Sequence, residues 1–210
     1  MKGGGMDLNV AIVDLEITVL DYESTGVFAG YPNEPWQIGL VSLKAGKVAM
    51  DSMFGSLLRV DANRPFNPHA PGRHALLRNE IAEAPTPQDL WSQIKPRLLG
   101  LPLCAHNVAT EKKFLRAMAP MHTFGPWLDT LRIARSVWPG MASYSLGDLV
   151  DGLNLKPRVD ALCPGHAVHD ALYDAVASAL LLEHLLNQPG WNLCTLEELL
   201  SLSHKPTRRS

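Results

Sequence analysis

The stretch VLDYESTG, Val19 to Gly26, closes an apolar run with two carboxylates, Asp21 and Glu23, one residue apart. Alternate residues of a strand face the same way, so such a pair can converge on one cation. Just upstream, VDLE sets Asp14 and Glu16 at the same spacing, and spacing alone does not choose between the pairs. Parity does. If residues 9–22 are one strand, Leu15, Ile17 and Val19 share a face with Asp21 and Glu23, whereas Asp14 and Glu16 share theirs with Thr18. Ser24-Thr25-Gly26 then frees the backbone, and ligand sites favour such strand ends. Asp21 and Glu23 are therefore the pair expected to carry chemistry.

The chain around this stretch has 210 residues, 46% of them hydrophobic and 19% charged, enough to bury the core of one domain. MKGGGM lacks the layout of a secretory signal and no apolar run reaches the length of a membrane span, so a soluble, cytoplasmic protein without membrane partners is expected. Cys104, Cys163 and Cys194 are odd in number and far apart, which suits free thiols in a reducing compartment. A formal net charge of -2 argues against coating long nucleic acid by charge, though not against gripping one end.

Residues 36–43 (WQIGLVSL) read as a second strand, turning at Ala45-Gly46 into a third over about 47–59. Helical spacing follows: Thr86 as cap, Pro87 at the first helical position, Leu90, Ile94 and Leu98 on one face, and Pro96 to kink or end the helix. LPLCAH (101–106) predicts a short buried strand leading into a helix over about 108–117, and WLDT and TLRIARSVW a fifth strand and its helix. SLGDLVDGL and the long apolar HDALYDAVASALLLEHLL give two more helices, and Thr195 with Glu198 forms the capping box of the last. The order predicts an α/β fold, a mixed sheet covered by helices. Residues 9–203 form the domain, with residues 1–8 and the basic tail 204–210 expected to be mobile.

Two further stretches bear acids and histidines. LCAHNVATEKKFL (103–115) places His106-Asn107 and then Glu111 near a helix start, and HDALYDA (169–175) sets His169 and Asp174 around the first turn of the long helix. DxExTG at 21–26, HN at 106–107 and HxAxxDA at 169–175, in this order, resemble the DEDDh 3′-to-5′ exonuclease superfamily, that of the epsilon proofreading subunit, ribonuclease T and oligoribonuclease. The likeness spans roughly residues 15–187, and WPG, HDALYDA and LLEHLLNQPGW running into EELL look like its exodeoxyribonuclease X branch. The chain departs at the second motif, where the family has Asp after Phe and this sequence has Glu111 after Thr110.

The resemblance implies a ribonuclease H-like single domain with a five-stranded sheet, and an enzyme that removes nucleoside 5′-monophosphates from 3′ ends. It implies two Mg²⁺ or Mn²⁺ ions, with Asp21 bridging both, Glu23 and Asp174 completing the first and Glu111 supporting the second. His169 would be the general base, a role that an imidazole beside carboxylates suits on its own chemistry. Thr25, Gly26, Val27, Phe28, His106 and Asn107 would hold the strand end, Val27 and Phe28 by stacking. The implied partner is a DNA 3′ end; an RNA-directed enzyme of the same superfamily stands beside it, and a non-catalytic nucleic-acid-binding module is the alternative from another class. Two other readings are weaker: Arg59, Arg64, Arg73 and Arg78 with His69 and His74 as a phosphate-facing stretch, and Cys163, His166 and His169 as zinc ligands.

Overall fold

A computed structural model describes residues 6–204 of the chain. Five strands form one sheet: β1 (Ile17–Ser24), β2 (Pro35–Lys44), β3 (Lys47–Leu57), β4 (Leu103–Ala105) and β5 (Trp127–Asp129), in the order β3-β2-β1-β4-β5. The first three form an antiparallel meander, and β4 and β5 run parallel to β1. This is the expected mixed sheet.

Eight α-helices accompany it among the described residues: α1 (Arg78–Glu83), α2 (Trp91–Leu98), α3 (Ala109–Met118), α4 (Thr130–Val137), α5 (Leu146–Gly152), α6 (Lys156–Leu162), α7 (Ala171–Leu186) and α8 (Leu196–His204). The alternation of β1 sorts the core into two layers. Ile17 and Val19 pack with Val41, Leu43 and the apolar face of α7, joined by α4, α5 and α8. Leu20 and Tyr22 face the other way, onto α2 and α3 through Leu90, Ile94, Leu98, Phe114 and Leu115. α7 is apolar nearly all round and lies across β1, β2 and β3, where each side meets either the sheet or another helix.

β1 begins at Ile17, not at residue 9. Ile12–Asp14 make a single 3-10 turn, and the chain before it pairs with the approach to α8, through an Ala11–Thr195 bridge and an Ile12 N–H bond to Cys194 O. Both neighbours of β1 end at its start, since β2 turns just after Leu43, the partner of Ile17, and β4 begins at Leu103, the partner of Thr18, so the sheet offers residues 9–14 nothing to extend along. Asp14 thus lies off the strand, and Glu16 is spent on Ser42 Oγ (2.9 Å) and Lys44 Nζ (3.5 Å). From Ile17 onward the parity holds. Of the expected mobile N-terminus, Met6 and Leu8 pack against the core and Leu8 O accepts from Glu197 N–H, while residues 1–5 and 205–210 lie outside the described residues.

Thr86 caps as expected, in a reciprocal pair with Asp89, but over a turn at 87–90 rather than with Pro87 opening the helix, and Thr195 and Glu198 form the expected capping box of α8. The regular helix of α2 starts at Trp91 and ends two residues after Pro96, which supplies no N–H to the last turn. Helices α1 and α6 were not expected. Each is short and buries one side chain, Ile81 or Val159, too little to write a period into the sequence.

Candidate active site

The site forms where β1 ends beneath the first turn of α7. Asp21 pairs in register with Gly39 of β2, and Glu23 with Gln37. At Gly39 the sheet touches the helix directly: a Cβ there would fall inside the van der Waals surface of Ala171 O, Ala171 C and Leu172 N. Glycine therefore lets the start of α7 descend onto β2 beside Asp21. Gln37 fixes the same corner, since its Nε2 donates to Asp170 Oδ2 (3.1 Å) and its Oε1 accepts from Ala171 N–H (3.2 Å). Asp170 also caps α7 by accepting from Leu172 N–H (3.1 Å).

This docking gathers Glu23, His169 and Asp174, whose ligand atoms lie within 4.8 Å of one another, the only such group of three among the described residues. His169 is exposed and sits at φ 65, a left-handed conformation rare outside glycine, and its N–H donates to Asp174 Oδ2 (3.2 Å). Such constrained residues cluster at functional sites. Gly72, at φ +89, brings the 61–76 loop over the same corner, where a Cβ would stand 3.0 Å from His169 O and 3.6 Å from Glu23 Oε2.

Electrostatics joins Asp21 and Glu111 to the group. Burial, then the charges of Asp174, Glu111, Glu23 and Asp170, hold the Asp21 carboxyl well above the usual carboxylate range. Burial, with Asp174 and Asp170, pushes Glu23 up to about 8. Burial raises Asp174 to about 7 against the lowering effect of the His169 N–H, and raises Glu111 to about 7 with a further contribution from Asp129. Glu111 is 4% exposed, and its Oε2 is buried without a hydrogen-bond partner. Among the described residues no Lys or Arg pairs with any of these four acids. Four clustered oxygen donors with no cation of the protein's own fit hard divalent metal ions, and an orphaned carboxylate oxygen fits a ligand position or a bond to the water shell.

Around the acids, Thr25 is fully buried. Its Oγ1 accepts from Glu34 N–H (3.1 Å) and from Arg64 Nη2 (3.2 Å), and its O accepts from Asn67 N–H (2.8 Å). Gly26, at φ +70, lies where a Cβ would be 2.8 Å from Asn67 Cβ. Beyond it Val27 (77% exposed), Phe28 (38%) and Tyr31 (45%) form an apolar tip. His106 follows β4 and bridges inward: one tautomer donates from Nε2 to Tyr144 O and accepts at Nδ1 from Thr130 Oγ1, both at 3.0 Å. Asn107, at φ 68, donates its N–H to Asp129 Oδ1 (3.0 Å) and leaves its side chain exposed.

Two expectations need correction. The basic stretch is not one phosphate-facing surface: Arg64 is buried and ties Thr25, Pro32 O and Glu34 together; Arg59 Nε donates to Ala84 O; Arg78 holds Ala62 O and Arg64 O; and His74 stacks on Phe66. Most of these groups close the loop on itself, and Arg59, His69 and Arg73 remain exposed. Nor do Cys163, His166 and His169 assemble, because Cys163 is buried in the core and His166 Nδ1 turns to Asp170 Oδ1 (3.0 Å). The residues missed from sequence were Gln37, Gly39, Gly72, Asp129 and the capping role of Asp170. An acid directly before a helical period signals a cap at both Asp129 and Asp170, whereas nothing local marks the two glycines.

A family model described as Exonuclease (RNase_T) matches residues 18–182. Exodeoxyribonuclease 10 of Escherichia coli (strain K12) is 28% identical over 192 residues, 91% of this chain and 76% of that protein. The solved structure of exonuclease X in complex with 5′ overhanging duplex DNA superimposes with a TM-score of 0.66 at 28% identity, covering 89% of this chain and 99% of that one. The nuclease domain of 3′hExo, a DEDDh family member bound to rAMP, shares the fold with a TM-score of 0.63 at 17% identity over 89% of this chain and 98% of that one.

Proposed function

The chain belongs to the exonuclease (RNase_T) family, and from that premise we propose that it is a divalent-cation-dependent 3′-to-5′ exonuclease that releases nucleoside 5′-monophosphates from DNA ends. The observation that carries this reading is the gathering of Glu23, Asp174 and His169 at the end of β1, beside the buried carboxyls of Asp21 and Glu111, with no Lys or Arg among the described residues paired to these acids. DNA as substrate rests on the likeness to exodeoxyribonuclease 10 and to the exonuclease X complex.

Asp21, Glu23 and Asp174 would hold the first of two Mg²⁺ or Mn²⁺ ions, and Asp21 with Glu111 the second. Bound there, the ions supply Lewis acidity for the charge that develops on the phosphate and on the attacking and leaving oxygens. The chain's own residues do the rest. His169, exposed beside the carboxylates, takes a proton from the attacking water at a ring nitrogen, and the neighbouring acids stabilise the imidazolium that results. Val27 and Phe28 stack on the terminal nucleoside, while the positive φ of Gly26 lets the backbone approach it. Asn107 is free to reach the end; Thr25 and His106, whose polar atoms are already engaged, position the loops around it. The three buried free thiols suit a reducing cytoplasm, where repair or turnover would supply such ends.

The test is the degradation of 5′-labelled DNA and RNA single strands with Mg²⁺ or Mn²⁺. Stepwise shortening with release of 5′-monophosphates, faster on DNA, is expected. No shortening of either polymer with either cation refutes the enzyme, and faster RNA cleavage refutes the substrate.

A further inference from the structure

A second group of residues lies outside this site, on the outward face of α3. Lys112 and Arg116 stand one helical turn apart and, with His122, line a pocket of about 360 Å³ backed by Phe124 and Trp127. No carboxylate lines it, although the chain as a whole carries a formal net charge of -2. None of the three makes an ion pair among the described residues. Like charges one turn apart weaken a helix, and no acid stands one turn from either to relieve them. The neighbouring acid, Glu111, is buried in the candidate active site.

The walls add aromatic faces. Lys112 Nζ sits 5.6 Å from the Trp127 ring centroid. His122 stacks on Trp91 with centroids 5.3 Å apart and planes 28° from parallel, and Phe124 meets Trp91 edge-on at 6.5 Å. These stacked rings make a firm floor, above which cations without a carboxylate are the composition that takes backbone phosphates. The pocket begins one residue beyond Glu111: Lys112 follows it directly, and Arg116 lies five residues on, about 7.5 Å along the helix.

We propose that the Lys112–Arg116–His122 pocket is a second nucleic-acid subsite, which takes backbone phosphates of the substrate strand a few nucleotides from the end being cut. It rests on the exonuclease reading above. Substrates long enough to reach the pocket use it, and a dinucleotide does not.

The test compares wild type, Lys112→Gln/Arg116→Gln and the conservative Arg116→Lys, with Lys47→Gln at the far edge of the sheet as a control for loss of surface charge away from the pocket. Anisotropy of a labelled single-stranded DNA of about twenty nucleotides, in EDTA and over a range of salt, reads affinity. Two lost phosphate contacts should lower the salt slope by about 1.4 and the affinity roughly 25-fold at about 0.1 M salt. Arg116→Lys should recover wild-type affinity within about threefold, and Lys47→Gln should match wild type. With cation present, the loss of kcat/KM on the long strand should exceed the loss on a dinucleotide at least tenfold. A double variant indistinguishable from Lys47→Gln, or one that loses long and short substrates equally, overturns the proposal. A wild type that cleaves neither substrate overturns the exonuclease reading instead, and the binding arm still decides the subsite.

Discussion

Gly39→Ala should separate the site's geometry from the fold's stability. The new Cβ would overlap the backbone of Ala171 and Leu172, and ordinary van der Waals contact is regained only if the first turn of α7 retreats by about 1 Å. That turn follows His169 and carries Asp174, and Gly39 is the register partner of Asp21, so the retreat opens the site along its working direction. A 1 Å misplacement of catalytic groups costs about 100-fold in rate. Overpacking of this kind costs about 1–3 kcal/mol, or roughly 2–12 °C in Tm for a domain of this size. Gly55→Ala is the internal control, because a Cβ there would meet the Leu172 side chain at 3.4 Å, an ordinary contact. Mononucleotide release with saturating Mg²⁺ and a thermal melt read the two effects. If Gly39→Ala keeps activity within about threefold of Gly55→Ala while folded, close approach of sheet and helix does not set the site.

Burial raises Glu23 to about 8 and Asp174 and Glu111 to about 7, all above their ordinary values, so in metal-free protein these groups favour the folded state while protonated. That stability is full below about pH 4 and is lost as pH rises through about 8, so the metal-free Tm should fall across this window; millimolar Mn²⁺ should restore it at pH 8 by binding the ionised folded site. A flat metal-free Tm between pH 5 and 8 contradicts the clustering. Phe28→Ala should raise KM for a DNA end by about 5- to 150-fold, the worth of one stacked base, while Tm moves by less than about 2 °C because the ring is partly exposed. An unchanged KM removes Phe28 from the site.

The shared face of Ile17, Val19, Asp21 and Glu23 was legible in the sequence because successive residues of any strand point to opposite faces, although burial of β1 on both sides gives it no alternation of apolar and polar residues before Asp21. Its start was not, since residues 9–14 are as apolar as a strand and are diverted only by their tertiary partner near Thr195. The grouping of Asp21, Glu23, Glu111, His169 and Asp174 came from motif order, as no local rule ties residue 21 to residue 174. Gly39 and Gly72 did not show in the sequence what they approach. Their role depends on what packs above them, and a glycine inside a strand pattern announces only that something comes close. Arg64 misled in the same way: the sequence shows a cation, and only the fold shows it buried against Thr25 and Pro32.

The most direct test of the proposed site is the Mn²⁺ dependence of mononucleotide release by wild-type protein and Asp174→Asn, run together. Asp174 sits in the group with Glu23 and His169, and the amide keeps its shape while removing the charge a cation needs. Wild type should release nucleoside 5′-monophosphates in a Mn²⁺-dependent, EDTA-reversible manner, and Asp174→Asn should melt at or above the wild-type temperature in metal-free buffer yet release at least about 1,000-fold less. Release by Asp174→Asn within tenfold of wild type, or release by wild type in EDTA, contradicts the account.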